Sequence, residues 1–537
     1  IAAALTAGNT AILKPASDTV LTAHRLCRCF WEAGVPREAL QLLPGPGRSV
    51  GQRLATHPDV DTVILTGGTE TACQILRENP QVNLLAETGG KNTTIVTAMA
   101  DRDLAIKHVL HSAFGHAGQK CSATSLLILE REVYEDESFR ETLRDAAESL
   151  VVGSAWNLET RMGPLIRPPG DPLESALKEL EAGESWLLMP QVLEDNPCLV
   201  SPAIKWNVQP GSVTHMTEFF GPLLGVLSAE SLAEAVELAN ATGYGLTAGL
   251  ESLDEREQEF WRDHIQAGNL YINRPTTGAM VLRQPFGGFG KSAFGPGIKA
   301  GGPNYVRQLM QFKAAKASPL ESNREILQNP ALEGLMEDLL DSPPGDLDRG
   351  ERDRLLAALT SYDTWAEREF LAWHDHFQLC GQDNFRRYLA ISQLRIRIVE
   401  GDTPFDVIAR AAAARSVGSR ATLSMAPGYP SAIVGWLDRQ TDSWAGAIEF
   451  IEETDEQLAD AIRAGQVDRV RFSHPGQVPL AIRTMVASTG IELAFHPVIE
   501  HGRLELPWYV QEQSISHDYH RYGNLGRRAA ESRREPA

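Results

Sequence analysis

Residues 61–79 read DTVILTGGTETACQILREN. The run DTVILT predicts a strand over 61–66, two glycines interrupt it, and apolar residues at helical spacing predict a helix from Thr69 to Asn79. A strand that turns straight into a helix is the building unit of a parallel α/β sheet. The alternation extends outward in both directions. Strands are predicted at TAILK (10–14), LQLLP (40–44), VNLLA (82–86) and TTIVTA (93–98), with a further helix from Thr19 to Ala33. Residues 10–98 are therefore expected to form a parallel sheet, and such sheets bind ligands at the carboxyl ends of their strands.

Composition narrows what the rest can be. The chain has 537 residues, 43% hydrophobic and 22% charged, enough for two or three domains with a large core. A formal charge of −20 argues against nucleic acid as a partner. Basic residues cluster only at the end (Arg527, Arg528, Arg533, Arg534), which reads as a frayed tail. No apolar run is long enough to span a bilayer, so no transmembrane segment is expected. The six cysteines (27, 29, 73, 121, 198, 380) have neither disulfide nor zinc-site spacing, which predicts a reducing, cytoplasmic setting and no metal. The opening IAAALTAGNTAILKP resembles the middle of an amphipathic helix, so the sequence is expected to be part of a longer chain whose targeting signals lie outside it.

A second α/β region runs from about Gly89 to Pro285. Between Ser318 and Arg354 the chain becomes acidic and proline-containing, a domain boundary by composition. A further strand–helix alternation follows, with strands at LRIRIV (394–399), ATLSMA (421–426), GAIEFIE (446–452), DRVRFSH (468–474) and IELAFHP (491–497). The segment 505–526 is β-rich and aromatic, and carries too much apolar surface for a free tail. It is expected to pack on another domain or subunit.

Four polar stretches carry the chemistry: ILKPAS (12–17), LTGGTET (65–71), ETGGKN (87–92) and GQKCSA (118–123). Cys121 follows Glu87 by 34 residues. A cysteine among Gly118, Gln119 and Ser122 is unlike a packed thiol, which ordinarily sits among Leu, Ile and Val. A thiolate is a nucleophile where its pKa is lowered, and Lys120 with nearby backbone N–H groups is expected to do this. A carboxylate of near-neutral pKa can activate water, the role open to Glu87. Taken singly, each residue has a plainer reading. Lys14 can be a solvated lysine at a strand end, Gly45 a turn glycine, Phe220 part of a core, and Thr277–Ala279 an ordinary turn.

Together, in this order, the motifs resemble the aldehyde dehydrogenase superfamily, with EFFGP (218–222) and PFGG (285–288) as further matches over roughly residues 1–315. Within it, NLYINRPTTGAMVLRQPFGG (269–288), AGGPNY (300–305) and EQSISHDYHRYGNLG (512–526) are similar to the glutamate-γ-semialdehyde dehydrogenases, above all the bifunctional proline-utilisation (PutA) group. The resemblance implies a Rossmann-like NAD-binding domain and an α/β catalytic domain, followed by a degenerate aldehyde-dehydrogenase-like α/β domain. The implied division is 1–88 for the rest of the NAD-binding domain, 89–286 catalytic, and 287–320 returning to the NAD side. Residues 321–375 would be a helical linker, 376–500 the degenerate Rossmann-like domain, and 501–537 an oligomerisation or tail segment.

The resemblance also assigns roles. Cys121 is the nucleophile and Glu87 the general base. Lys14, Ser17, Gly45, Gly67, Gly68, Thr69, Glu218 and Phe220 would hold NAD, although Ser usually stands where this chain has Gly68. Lys120, Ser122, Thr277, Gly278, Ala279 and Phe286 would hold a substrate carboxylate and its aliphatic chain. The family's second oxyanion donor, an Asn side chain, has no counterpart in the sequence given. His116 receives no chemistry. The implied reaction is oxidation of L-glutamate γ-semialdehyde, the open form of pyrroline-5-carboxylate, to L-glutamate. The alternatives are another semialdehyde dehydrogenase, such as one for succinate semialdehyde, or a non-catalytic scaffold. A homo-oligomer is implied, and FAD only if a proline dehydrogenase domain is fused upstream.

Overall fold

The computed structural model describes residues 1–312, 326–429, 432–444 and 446–533. The first unit forms two parallel strand pairs. Ala11–Leu13 pairs with Leu40–Leu42, and Thr62–Thr66 with Asn83–Glu87. The short strand Ala293–Phe294 adds antiparallel to Asn83–Glu87. The one continuous sheet expected over 10–98 is therefore divided, and its last strand lies elsewhere. The turn ETGGK carries the chain away, so that Asn92–Val96 becomes an interior strand buried at every residue in a second sheet.

That second sheet has nine strands. Its order is Gln382–Ala390, Val510–Asp518, Asn269–Ile272, Thr247–Glu251, Asn92–Val96, Thr124–Glu130, Leu223–Ala229, Ala203–Trp206 and Ser185–Leu188. Only the outermost pair at each edge is antiparallel. The interior strands are covered on both faces, which is why LLIL (126–129) needs no polar alternation. Leu127 and Leu129 join the core under the helix Arg102–Phe114, while Leu126 and Ile128 join the core around Trp261 on the opposite face.

The third unit is a five-stranded, all-parallel sheet in the order Ile448–Glu452, Ala421–Met425, Leu394–Arg397, Arg469–Arg471, Glu492–Ala494. This is the Rossmann order 3-2-1-4-5. At the point where the order reverses, Asp402 and Arg410 form a fully buried ion pair at 2.5 Å, and Ser473 donates to the same carboxylate. An internal carboxylate, paired and hydrogen-bonded, thus stands at the crevice where such sheets hold phosphates.

Three segments lie differently from expectation. The linker 321–375 contains the helices Pro330–Asp341 and Arg349–Trp365, and these bury Leu335, Leu339, Leu359 and Tyr362 in the same core as Ile396, Phe405 and Trp436. They are a layer of the third unit. Residues 382–390 belong to the nine-stranded sheet, so the third unit's sheet begins at Leu394. Within the expected oligomerisation segment, Val510–Asp518 is an interior strand of this chain's own catalytic sheet. It lies parallel to Asn269–Ile272 and antiparallel to Gln382–Ala390. An unpaired edge beside Asn269–Ile272 would leave a row of backbone groups open, and this strand closes it. Residues 313–325, which include the start of the expected boundary and the ends of two expected segments, lie outside the described residues, as does Arg534.

Ile515, 2% exposed, packs from this strand into the core around Trp261, Leu270 and Ile272. Ile515→Ala is expected to cost about 2–4 kcal/mol in denaturant unfolding. A cost near zero would mean that the strand does not sit in the sheet.

Candidate active site

The helix Arg102–Phe114, capped by the Asp101 carboxylate, delivers the chain to the loop that carries Cys121. His116, Ala117 and Gly118 then all take positive φ (57°, 55°, 68°), which turns the backbone sharply before Cys121. Gly118 is required here, because a Cβ would lie 2.1 Å from the Gly221 carbonyl oxygen. The loop is pinned from beneath by buried polar groups. Asn92 Nδ2 donates to the carbonyls of Cys121 (2.6 Å) and Ala123 (2.9 Å), while its Oδ1 accepts the Thr247 N–H at 3.1 Å. Thr276 Oγ1 donates to the Ser122 carbonyl at 3.0 Å.

Glu87 ends the strand Asn83–Glu87 and accepts the Gly288 N–H at 3.0 Å. Its other oxygen lies so close to Gly287 that a Cβ there would be 2.6 Å away. Burial pushes this carboxyl up to about 7, against the opposing pull of Lys299 and of the Gly288 N–H. Glu218 accepts the Gly90 N–H at 3.0 Å, and burial raises it too. The Cys121 thiol is itself raised, by burial first and then by Glu87 and Glu218. The backbone N–H groups of Ser122 and of Cys121 itself pull the other way. The expectation of a thiol lowered by Lys120 is thus corrected: the dominant neighbours are carboxylates, and Lys120 instead lies by His111 and His116.

Of the expected dinucleotide residues, Lys14, Ser17, Gly45, Gly67, Gly68 and Thr69 follow the carboxyl ends of the first unit's strands, whereas Glu218 and Phe220 precede the strand Leu223–Ala229 of the second sheet. Lys14 Nζ donates to the carbonyls of Pro15 (2.8 Å) and Gly45 (3.5 Å). Ser17 begins a short exposed 3-10 turn. Gly67 and Gly68 are exposed ahead of the 10-residue helix Thr69–Glu78, whose first turn has no side-chain cap. An uncapped helix N-terminus suits a pyrophosphate, and a lysine at a strand end suits a ribose. Thr69 Oγ1 is already bonded to the Lys291 carbonyl at 2.9 Å, which ties this helix to the loop FGGFGKS. Phe220 is 46% exposed with φ 53°, a ring presented at the surface rather than in a core.

On the substrate side, Ser122 and Thr277 are buried beside the loop that carries Cys121, while Gly278 and Ala279 are exposed. Phe286 is half-buried and pairs with Ala300 through backbone bonds of 2.8 and 2.9 Å. Sequence reading passed over Asn92, Thr247, Thr276, Asn269 and Lys299. Of these, Asn92 is the last letter of ETGGKN, and Asn269 and Thr276 lie within the quoted stretch 269–288, whereas Thr247 and Lys299 lie in no quoted motif. Among the described residues no cluster of three or more His, Cys, Asp or Glu could hold a metal ion, and no helix is long and apolar enough to cross a membrane.

A model of the aldehyde dehydrogenase family matches residues 1–315. The chain belongs to the aldehyde dehydrogenase family. The chain is 36% identical over 322 residues to the 1-pyrroline-5-carboxylate dehydrogenase of Bacillus subtilis, covering 58% of this chain and 61% of that protein. Among solved structures it is similar to proline utilization A from Corynebacterium freiburgense, with TM-score 0.80 and 36% identity over 97% of this chain and 48% of that one. It is also similar to 1-pyrroline-5-carboxylate dehydrogenase from Thermus with bound NAD, with TM-score 0.54 and 36% identity over 57% of this chain and 60% of that one.

The carboxylates around Cys121 generate a test. Above pH 7 Glu87 is ionised and disfavours the thiolate, so Glu87→Gln lowers the thiol pKa. Iodoacetamide alkylation of the Cys121 peptide, followed by mass spectrometry, is expected to reach half-rate at lower pH in the variant. An unmoved or raised midpoint contradicts this placement of the two side chains.

Proposed function

We propose that this chain catalyses NAD-dependent oxidation of L-glutamate γ-semialdehyde to L-glutamate, the second step of proline breakdown. The observation that carries the reading is a buried carboxylate held near neutral pKa in one site with a loop-presented cysteine. The relatives named above support the choice of substrate. In this reading Cys121 Sγ gives its proton to solvent water and adds to the aldehyde carbon, and the Cys121 backbone N–H faces the developing oxyanion. NAD, when bound, supplies the hydride acceptor. Lys14, Ser17, Gly45, the uncapped helix start at Gly67–Thr69, Glu218 and Phe220 would hold it. The oxidised carbon then remains on Cys121 as a thioester. Glu87 takes a proton from water as the water oxygen attacks the thioester carbon, and the carbon–sulfur bond breaks to release glutamate and the thiolate.

Specificity is assigned to the small loop Thr277–Ala279 next to Ser122. The backbone N–H groups of its exposed residues Gly278 and Ala279 would suit the α-carboxylate, with Phe286 along the aliphatic chain and Lys120 as a further contact.

With the intact protein, kcat/KM for pyrroline-5-carboxylate is expected to exceed that for succinate semialdehyde by at least about tenfold. Equal or better use of succinate semialdehyde contradicts the substrate assignment. Cys121→Ala is expected to lower kcat by about a thousandfold or more, and a variant that stays active contradicts the mechanism. The pH profile follows from the base. Glu87 works only when ionised, so the hydrolytic step is expected to be half-maximal near pH 7 and to fall as the pH is lowered further. Single-turnover hydrolysis across pH checks this.

A further inference from the structure

Lys299 is 1% exposed, close to the base, and has no role in the mechanism above. Its Nζ donates to the carbonyl oxygen of Gly287 and lies 3.5 Å from Asn269 Oδ1. The Gly287–Gly288 peptide presents its N–H to Glu87 Oε2 at 3.0 Å. One amide is thus held at both ends, by a cation at its oxygen and by the base at its nitrogen. Hydrogen bonds in series through an amide polarise one another, and the low dielectric of a buried site strengthens each. Asn269 fixes the approach to this amide. Its Oδ1 accepts the Gly287 N–H at 3.1 Å and its Nδ2 donates to the Pro285 carbonyl at 3.0 Å. The alkyl stem of Lys299 and the Glu87 carboxylate lie against the same spot, for a Cβ on Gly287 would be 2.6 Å from Glu87 Oε1 and 3.4 Å from Lys299 Cγ.

Lys299 is held in turn by the far end of the chain. Its backbone N–H donates to Glu512 Oε2 at 3.0 Å, and Asn304 Nδ2 bonds both the other Glu512 oxygen and Tyr388 Oη, the latter at 2.6 Å. We propose that Lys299 is a positioning residue for the base: its ammonium fixes the Gly287–Gly288 peptide with its N–H aimed at Glu87, and its charge favours the ionised carboxylate.

The titratable groups that face Glu87 are Lys299, Cys121 and Tyr305, and those that face Lys299 are Glu87 and Glu512. Lys299 is the cation among them. Burial lowers its own pKa, and the carboxylates of Glu87 and Glu512 raise it. Removal of the cation leaves burial opposed by one N–H alone, which moves Glu87 upward.

This inference rests on the functional reading above, and the test separates the two. An activated ester such as p-nitrophenyl acetate acylates the cysteine without a dinucleotide, and hydrolysis of the acyl-enzyme is then timed across pH. Lys299→Gln is expected to shift the acid limb upward by about one pH unit, with the rate returning toward wild type at high pH. Lys299→Arg keeps the charge and is expected to hold the limb near its wild-type position. If the Arg side chain prevents folding, the direction of the Lys299→Gln limb decides alone. An equal loss at every pH, or an unmoved limb in Lys299→Gln with normal acylation, overturns the proposal and leaves the functional reading standing. Wild-type protein that never acylates Cys121 overturns both.

Discussion

The hydrogen bond from the Gly288 N–H to Glu87 is the contact around which the rest of the molecule is arranged. A carboxylate taken out of water needs compensation, and here one backbone donor and one indirect cation supply it. That compensation is incomplete, which leaves Glu87 near neutrality, where a base for water is useful. The loop carrying Gly288 has no regular structure of its own beyond short strands, so its position depends on what surrounds it. Asn269 holds it from the catalytic sheet, and Thr69 and Thr88 hold the following Lys291 carbonyl from the first unit.

The third unit reaches the same loop from the opposite side. Arg469, buried at the start of its fourth strand in spatial order, donates to the carbonyls of Pro296, Trp508 and Val510. It therefore clamps the segment that leads to Lys299 against the strand that carries Glu512. Arg471 pairs with Glu505 at 2.9 Å in a fully buried contact just before that strand. Breaking a buried pair by removing one partner is costly, so these arginines act as fixed struts. A unit whose own crevice holds the Asp402–Arg410 ion pair thus also fixes Pro296, three residues before Lys299.

The sequence carried local information well. The strand–glycine–helix unit at 61–79, the five strands of the third unit and the loop around Cys121 all depend on neighbouring residues, and they appear where local pattern puts them. What escaped was non-local. TTIVTA reads as one more strand of the first sheet, and only the pairing with Thr124–Glu130 and Thr247–Glu251 assigns it to the second. Residues 510–518 announce a strand but not its partners, which lie more than a hundred residues away. Lys120 stands next to Cys121 in sequence and invited an electrostatic role. Burial first, and then the carboxylates of Glu87 and Glu218, distant in sequence, raise that thiol instead. Lys299 lies in no quoted motif, and Asn269, which opens the quoted stretch 269–288, has no role legible from it, because both act on one loop that only the fold brings to them.

The central claim is that Cys121 carries the acyl group and Glu87 releases it. The most direct measurement is trapping. Glu87→Gln in the intact protein is mixed with pyrroline-5-carboxylate and NAD, quenched in acid within one turnover, digested and weighed. The account predicts a γ-glutamyl thioester on the Cys121 peptide and on none of the other five cysteines, formed with one equivalent of NADH. NADH formed with no adduct at Cys121, or an adduct on a different cysteine, would contradict it.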